Sequence, residues 1–129
     1  MEIRIIEPSG EFFSGEGTFL EFTALDGRMG VYENHVPLTT ILEPCVVNIH
    51  QAEGIKKAAI LGGFVEIQKK KITMLAEDAN WPEEIDAARA EAAKKRAEDR
   101  LDKKDPGVDV VRAEAALKRA MARLSAIGK

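Results

Sequence analysis

A change of sequence pattern near residue 80 constrains the fold of this chain more than any other feature. Pro82 has a fixed φ and no N–H to satisfy, so it suits the first turn of a helix. Glu83, Glu84 and Asp86 follow and place negative charge at the positive end of the helix dipole. The next segment is rich in Ala, Glu, Lys and Arg and has no Gly or Pro, which favours a long helix. We therefore predict that residues 80–97 join a part built from strands to a part built from helices.

Residues 1–82 contain short β-branched and aromatic runs that are separated by Gly, Pro and Asp. About eight such runs, with turn signals at roughly eight- to twelve-residue spacing, favour an antiparallel β-sandwich over βαβ units. In the run TFLEFTAL, Leu20, Phe22 and Ala24 share one face, as in a strand that packs one face on a core. The predicted core consists of large apolar residues from several runs: Phe19, Phe22, Ile41, Val47, Ile60, Phe64 and Ile67.

Residues 83–129 read as two helices joined by a short turn. The first helix is predicted from Glu83 to about Lys104, the turn is Asp105-Pro106-Gly107, and the second helix runs from about Val108 or Asp109 to Ile127. A short turn between two long helices implies an antiparallel hairpin. The predicted fold class is therefore α+β in two parts, a β-sandwich domain (1–82) followed by a helical hairpin (83–129).

The seam between the two helices is predicted to consist of small and aliphatic side chains. Its members are Ala90, Ala93, Ala97 and Leu101 in the first helix, and Val110, Ala113, Leu117, Ala120, Leu124 and Ile127 in the second. A buried methyl group contributes about 0.8 kcal/mol, whereas a whole Leu side chain contributes roughly 1.5–3 kcal/mol. An Ala-rich seam therefore holds the hairpin weakly, although its helices form readily.

Charge and cysteine content exclude several classes of function. Residues 1–82 carry 7 Lys and Arg against 12 Asp and Glu, whereas residues 83–129 carry 12 against 10. This small basic excess is interleaved with acids, so it predicts an acidic protein partner for the hairpin and not a nucleic acid. The single Cys45 excludes an internal disulfide, and its apolar neighbours predict a buried, unreactive thiol. Neither a signal peptide nor an apolar run long enough to cross a membrane is evident.

The common catalytic motifs are absent from the sequence. Patterns for a P-loop, a zinc-protease helix, a nucleophile elbow and paired cysteines do not occur, and Gly15 with Gly17 forms only a GxG fragment. His35 and His50 have no carboxylates at metal-binding spacing, so no metal site is predicted. We interpret His35 as a loop residue bonded to backbone before Pro37. An acid–base role for His35 in a small hydrolase is the alternative.

Several short segments together resemble the epsilon subunit of the F-type ATP synthase. They are FFSGE at 12–16, GRMGVYENHVPL at 27–38, GGFVEI at 62–67, LAEDA at 75–79 and IDAARAEAAKKRAEDRL at 85–101. Their order and spacing make the resemblance specific, and it covers the whole chain. The family fold, an N-terminal β-sandwich followed by a C-terminal helical hairpin, agrees with the fold predicted from the sequence pattern.

The resemblance implies a non-catalytic subunit of a central stalk. Members of this family clamp the foot of the coiled-coil gamma subunit, touch the membrane-embedded c-ring and help to transmit its rotation to the alpha/beta catalytic head. The chain is then expected to lie peripherally on the cytoplasmic side of the cell membrane and to require no cofactor. The residues that match the family's c-ring contact loop are Gly27, Arg28, Met29, Gly30 and His35.

The resemblance also implies a regulatory role for the hairpin. In bacterial relatives an extended hairpin sets basic side chains against an acidic segment of the catalytic subunits and blocks ATP hydrolysis. The matching residues here are Arg112, Lys118, Arg119 and Arg123. A solvated helix surface is the alternative interpretation of each of them.

A second regulatory element resembles the ATP-binding motif I(L)DxxRA of some bacterial members. The matching residues are Ile85, Asp86, Arg89 and Ala90. Positive charge for the phosphates is expected from Arg96, Arg119 and Arg123, because arginine binds oxyanions through two N–H groups. Bound but unhydrolysed ATP, as a regulatory ligand, is expected to hold the hairpin folded on the sandwich. The alternatives are a structural ion pair between Asp86 and Arg89 and, for the chain as a whole, a free-standing nucleotide-sensing module.

Overall fold

A computed structural model describes residues 1–103 and 106–129, which form a β-sandwich followed by two packed helices. The strands are β1 (Glu2–Glu7), β2 (Gly10–Glu16), β3 (Phe19–Ala24), β4 (Gly27–Tyr32), β5 (Leu38–Gln51), β6 (Gly54–Ile67), β7 (Lys71–Ala76) and β8 (Ala79–Asn80). A 3₁₀ turn at Pro82–Glu84 leads to helix α1 (Ala87–Lys103), which is followed by helix α2 (Val110–Ala126). The predicted fold class, α+β in two parts, is confirmed.

Two long strands connect both layers of the sandwich. β5 and β6 have 14 residues each and pair antiparallel from Leu38 opposite Ile67 to Gln51 opposite Gly54. The sheet order is β2-β1-β7-β6-β5-β3-β4, with β8 also paired to β6. The pair β1–β7 is parallel, which the predicted antiparallel sandwich did not include. This pair joins the first and seventh strands of the chain, and such a non-local contact leaves no local pattern in the sequence.

The bend in β6 depends on two consecutive glycines. Gly62 and Gly63 have φ angles of +95° and +128°, which residues with a side chain rarely adopt. A Cβ atom at Gly63 would also lie 2.0 Å from the carbonyl oxygen of Leu75 on β7. Glycine at this position therefore lets β6 pass from one layer of the sandwich to the other while it stays paired with β7.

The core of the sandwich is built from large aliphatic and aromatic side chains. Of the predicted core residues, Phe22, Val47, Ile60 and Ile67 are buried, and Phe19 is partly buried. The prediction was wrong for Ile41 and Phe64, which are 46% and 54% exposed. These two residues lie directly opposite each other on β5 and β6, so they share a face, and it is the outward one.

The helical part begins later than predicted. Pro82 opens the 3₁₀ turn and not an α-helix, and Ile85 is extended with φ −87° and ψ 123°. Glu84 accepts a hydrogen bond from the Trp81 N–H at 2.9 Å, so its carboxylate closes the 3₁₀ turn. Asp86 then caps α1, because its Oδ1 accepts from the Arg89 N–H at 3.1 Å. Glu84 and Asp86, two of the acids predicted to lie inside the first turn of one helix, therefore serve the ends of two shorter elements.

Helix α2 begins and ends close to the predicted positions. Asp109 is its N-cap and accepts a hydrogen bond from the Arg112 N–H at 3.0 Å. The predicted end of the first helix at Lys104 and the turn residue Asp105 lie outside the described residues.

The seam between α1 and α2 consists mostly of alanines. The predicted seam residues Ala90, Ala97, Ala113, Ala120 and Leu124 are buried, and Ala93, Leu101, Leu117 and Ile127 are partly buried. Val110 was predicted wrongly, since it is 51% exposed. As the first residue of α2, it lies at the end of the hairpin where the two helices are connected, and the seam has less to pack against there.

The hairpin lies folded against the sandwich through a second face of α2. Ala122 and Ala126 are buried in a small cluster with Ala59 and Leu61 of β6, and Val46 and Ile85 pack around it. At the junction, the ring of Trp81 stacks on Phe12, with centroids 4.3 Å apart and planes 18° apart, and Lys56 Nζ lies 5.8 Å from its centroid. The junction residue Trp81 is thus packed on the sandwich.

Candidate functional site: a cleft between the sandwich and the hairpin

A cleft of about 450 Å³ lies where the segment after β7 meets both helices. It is lined by Asp78, Asn80, Glu84, Ile85, Asp86, Arg89, Ala90, Ala93, Arg96 and Arg123. Six of the seven residues predicted to bind ATP therefore line one cleft. The seventh, Arg119, does not line it, so in this folded hairpin the second helix contributes Arg123 alone of the two arginines predicted there.

Local structure fixes where the motif residues point. The extended backbone at Ile85 ends the 3₁₀ turn, and the N–H of Ile85 donates to the Pro82 carbonyl at 3.2 Å. Asp86 uses one carboxylate oxygen as the cap of α1, so its other oxygen remains for a ligand. Arg89 and Arg96 lie seven residues apart on α1, about two turns along one face. The chain therefore turns at Ile85 and enters α1, and Asp86, Arg89 and Arg96 all line the cleft.

Arg123 reaches the cleft from α2. Its Nε donates to Asn80 Oδ1 at 2.9 Å, and its Nη2 donates to Asp78 Oδ2 at 3.1 Å. Asp78 was not predicted to have a role, because Arg123 and Asp78 are separated by 45 positions and no local pattern connects them. The signal that could have found the pair was an acid close to the predicted junction, since Asp78 lies two residues after the end of β7.

The cleft presents both cationic and anionic side chains to a ligand. Its volume falls within the range of about 300–1,000 Å³ that is usual for ligand pockets. Three arginines and three carboxylates line it, so its formal charge is balanced. Arginine binds phosphate through a planar fork of N–H groups, and carboxylates and amides accept from amines and hydroxyls.

The residues predicted to contact the c-ring do not form one loop. Gly27, Arg28, Met29 and Gly30 lie in strand β4, and His35 follows the other end of that strand. Arg28 Nη1 donates to Thr23 Oγ1 at 3.1 Å and to the Val46 carbonyl at 2.9 Å, so this side chain lies across β3 and β5. The structure therefore places Gly27 and His35 at opposite ends of β4.

Gly30 and His35 have local structural roles. A Cβ atom at Gly30 would meet the ring of Phe19 at 2.5 Å, so glycine allows this ring to cover the strand. Phe19 itself stacks on Tyr32, with centroids 4.3 Å apart. His35 is partly buried, and its Nδ1 lies 2.6 Å from the Val36 carbonyl, which accepts a hydrogen bond from it.

The basic residues predicted to inhibit hydrolysis divide into two groups. Arg112 is exposed and Arg119 is partly buried, and neither side chain makes an ion pair with another residue of the described ranges 1–103 and 106–129. Lys118 Nζ lies 3.6 Å from Glu43 Oε2, and Arg123 pairs with Asp78. Two of the four cations therefore help to hold α2 on the sandwich.

An apolar stripe runs across the outward face of three adjacent strands. Ile41 of β5, Phe64 of β6 and Leu75 of β7 are cross-strand neighbours and are 46%, 54% and 53% exposed. We call these three residues the outer stripe. Ile41 and Phe64 were predicted to lie in the core, because alternation alone does not tell which face of a strand is covered. An exposed stripe of this kind is typical of a surface that a partner covers.

Two titratable groups are perturbed by their surroundings. A hydrogen bond from His50, whose Nε2 lies 2.6 Å from Glu21 Oε1, lowers the pKa of the Glu21 carboxyl below its usual value. Burial raises the pKa of the Cys45 thiol, which agrees with the predicted unreactive cysteine. Both groups lie in the sandwich and neither lines the cleft.

The described residues contain neither a metal-binding cluster nor a membrane-spanning helix. Among residues 1–103 and 106–129, no group of three or more His, Cys, Asp or Glu side chains is arranged to hold a metal ion. Within the same ranges, neither helix has the length and hydropathy required to cross a bilayer.

Comparisons with known proteins agree along the whole chain. Residues 1–82 match the family described as ATP synthase, Delta/Epsilon chain, beta-sandwich domain, and residues 83–128 match its long alpha-helix domain. An ATP synthase epsilon chain from Pelotomaculum thermopropionicum is 47% identical over 127 residues, covering 98% of this chain and 95% of that one. One from Desulforudis audaxviator is 44% identical, covering 99% and 93%.

A solved structure shares the fold at low sequence identity. A chain in the Euglena gracilis mitochondrial ATP synthase structure of OSCP, F1 and c-ring matches with a TM-score of 0.82 at 21% identity, covering 96% of this chain and 78% of that one. The two matched family domains and the closely similar relatives identify the group to which this sequence belongs. The chain is a member of the ATP synthase delta/epsilon chain family, a non-catalytic subunit of that complex.

Proposed function

We propose that the chain works as the epsilon subunit in the rotor of a bacterial F-type ATP synthase, where it binds gamma and couples c-ring rotation to the alpha/beta catalytic head. The observation that carries this proposal is the outer stripe of Ile41, Phe64 and Leu75. Large apolar side chains about half exposed on adjacent strands make a continuous surface that favours a protein partner. Gamma is the coiled-coil partner that the family resemblance implies, so we assign the outer stripe to it.

Binding of gamma to outer-stripe variants tests this assignment. Phe64→Ser should weaken binding by at least about tenfold, because a large aromatic side chain at an interface commonly contributes 2 kcal/mol or more. Val111→Ser, at a position of α2 that is 77% exposed, is the matched control and should bind like the unmodified chain. Equal affinities for Phe64→Ser and the control would contradict the assignment.

The c-ring contact is proposed to run along β4. Since Gly27 and His35 lie at opposite ends of this strand, a contact that used both would extend over its full length. The proposed position of the chain is peripheral, on the cytoplasmic side of the cell membrane. Arg28→Glu in the reassembled enzyme should reduce proton pumping driven by ATP more than it reduces ATP hydrolysis. Unchanged coupling would argue that Arg28 serves only its bonds to Thr23 and Val46.

The hairpin is proposed to inhibit ATP hydrolysis when it extends toward the catalytic head. In the folded form Lys118 and Arg123 pair with Glu43 and Asp78 of the sandwich, so extension would release both cations for an acidic partner. Whole enzyme carrying a chain cut after Pro82 should hydrolyse ATP at an equal or higher rate while proton pumping persists. A large fall in hydrolysis would count against an inhibitory hairpin.

ATP is proposed to bind in the cleft and to keep the hairpin folded. Support comes from the convergence of Ile85, Asp86, Arg89, Arg96 and Arg123 on one cavity formed by both helices. Because α1 supplies two arginines and α2 supplies one, the ligand favours the closed arrangement and shifts the population toward it.

Calorimetric titration of the chain with ATP tests the nucleotide site. Arg89→Ala and Asp86→Ala should each weaken binding, whereas Arg100→Ala, an arginine of α1 outside the cleft, should not. Circular dichroism of Asp86→Ala separates lost contact from lost capping of α1. Affinity weaker than about 10 mM, which corresponds to less than roughly 3 kcal/mol, would reject the site. If the chain were instead a free-standing nucleotide sensor, it would bind ATP in the same way. Substitutions in the outer stripe would then not affect its function.

A further inference from the structure

Arg123 is held by the chain's own acceptors in the cleft. Its Nε and Nη2 donate to Asn80 Oδ1 and Asp78 Oδ2, and these two N–H groups form the side of the guanidinium that binds oxyanions bidentately. The Arg123 and Asp78 side chains are 30% and 47% exposed. The Asp78 carboxylate and the Asn80 amide oxygen therefore together occupy the side of Arg123 at which a phosphate would bind bidentately.

The other acids of the cleft are engaged differently. Glu84 accepts from the Trp81 N–H, and Asp86 accepts from the Arg89 N–H, so both carboxylates serve the backbone. Within residues 1–103 and 106–129, the side chains of Arg89 and Arg96 form no ion pair. Of the three carboxylates that line the cleft, Asp78 is thus the one that neutralises an arginine side chain.

We propose that Asp78 is an internal competitor for the nucleotide phosphates at Arg123. Without a ligand, the Asp78–Arg123 pair helps to hold α2 on the sandwich. When the polyphosphate of a nucleotide enters the cleft, it displaces the Asp78 carboxylate from Arg123. The displaced carboxylate stays close to the phosphates, and the like charges repel each other. Asp78 therefore lowers the affinity for ATP and raises the concentration at which the hairpin responds. This inference rests on the nucleotide site proposed above.

Asp78→Asn is a conservative test of the competition. Asp78 Oδ1 accepts a hydrogen bond from the Ala79 N–H at 2.9 Å, and an asparagine oxygen can keep this bond. The substitution removes the charge while it retains the size of the side chain. The matched control is Glu77→Gln, which removes one negative charge from the neighbouring, exposed position outside the cleft.

The first measurement is calorimetric titration with ATP in the absence of Mg²⁺. Asp78→Asn should bind ATP about three- to tenfold more tightly than the unmodified chain, since an ion pair of this exposure is worth up to about 1 kcal/mol and the repulsion of phosphate is also lost. Glu77→Gln should bind as the unmodified chain does. Unchanged or weaker binding by Asp78→Asn would overturn the proposal, because Asp78 would then not compete or would assist the ligand.

The second measurement is hydrogen exchange of α2 without nucleotide. Amides of α2 should exchange about two- to fivefold faster in Asp78→Asn, because the hairpin loses an anchor in its ligand-free form. Equal rates would overturn the anchoring part of the proposal. If the unmodified chain binds ATP and Asp78→Asn does so no more tightly, the competition fails while the nucleotide site stands. If neither binds ATP, both fail.

Discussion

The sandwich and the hairpin are both packed structures, but they bury different kinds of side chain. In the sandwich the fully buried residues include Phe22, Ile5, Leu20 and Met74. In the hairpin, the buried residues of α1 and α2 are six alanines and Leu124. Since a methyl group contributes about 0.8 kcal/mol and a large side chain roughly 1.5–3 kcal/mol, the sandwich gains far more from each buried residue. The hairpin is thus the part that can move without unfolding the rest.

Polar contacts compensate in part for the weak apolar packing of the hairpin. Two ion pairs, Lys118–Glu43 and Arg123–Asp78, connect α2 to the sandwich beside the small alanine cluster. Ion pairs at such exposure are worth about 0–1 kcal/mol and weaken with salt. The attachment of the hairpin therefore responds to charge and ligands, whereas the sandwich responds mainly to the loss of buried volume.

Phe22→Ala should have the largest effect on stability. Phe22 is 0% exposed, and truncation of a buried Phe typically costs about 3–5 kcal/mol through lost burial and the cavity left behind. Urea denaturation followed by circular dichroism measures the change in the free energy of unfolding. Phe64→Ala, at a position that is 54% exposed, is the control and should lose much less. Similar losses for both variants would contradict the assignment of the core.

Leu124→Ala should affect the hairpin and spare the sandwich. Leu124 is the one large buried side chain among the described residues of α1 and α2, and we expect a loss of about 2 kcal/mol in hairpin packing. Hydrogen exchange should show faster opening of both helices and unchanged rates in the β-strands. Met121→Ala, on the same helix but 51% exposed, provides the comparison. Faster exchange throughout the sandwich would mean that the two parts unfold together.

The Lys118–Glu43 pair should contribute a small, salt-dependent amount. A double-mutant cycle with Lys118→Ala and Glu43→Ala should give a coupling of about 0.2–1 kcal/mol at low salt. The coupling should shrink at about 1 M salt, where the Debye length is near 3 Å. The coupling is measured from the hydrogen-exchange rates of the α2 amides. A coupling that does not change with salt would mean that the two side chains act through packing.

Glu21 should give the smallest effect, seen as a dependence on pH. Its pKa is lowered in the folded chain by His50, so its ionised form stabilises the sandwich above the unfolded pKa of about 4.5. This contribution is lost as the pH falls through the lowered pKa. Glu21→Gln should flatten the stability curve below pH 5 by less than about 1 kcal/mol, and Glu66→Gln, which is exposed, should not. If Glu21→Gln and the unmodified chain gave the same dependence of stability on pH, the hydrogen bond from His50 to Glu21 would not contribute to stability.

Local patterns predicted the elements of this chain better than their contacts. Leu20, Phe22 and Ala24 were placed on the buried face because alternation along one strand is a local signal. Ile41 and Phe64 were misplaced because the choice of covered face depends on which layer each half of β5 and β6 joins. The parallel pairing of β1 with β7 depends on contacts between distant segments and has no local signature.

For the candidate site too, local patterns predicted residues that are close in the sequence, but not the contacts between distant segments. Ile85, Asp86, Arg89 and Arg96 lie within one stretch of the chain, so a motif could place them together. The exclusion of Arg119 and the pairing of Arg123 with Asp78 depend on how α2 is rotated against the sandwich. That rotation is set by Ala122 and Ala126, whose small size the helical pattern did not distinguish from ordinary surface alanines.

The stacked Trp81 makes the junction of the two parts observable by spectroscopy. It is the single tryptophan of the sequence, so all indole emission of the chain originates at this junction. Its ring stacks on Phe12 and lies 5.8 Å from the Lys56 ammonium group, two neighbours whose loss would change the polarity around the indole. The position and intensity of the emission band therefore report whether the junction stays packed when the hairpin moves, in real time and without an attached dye.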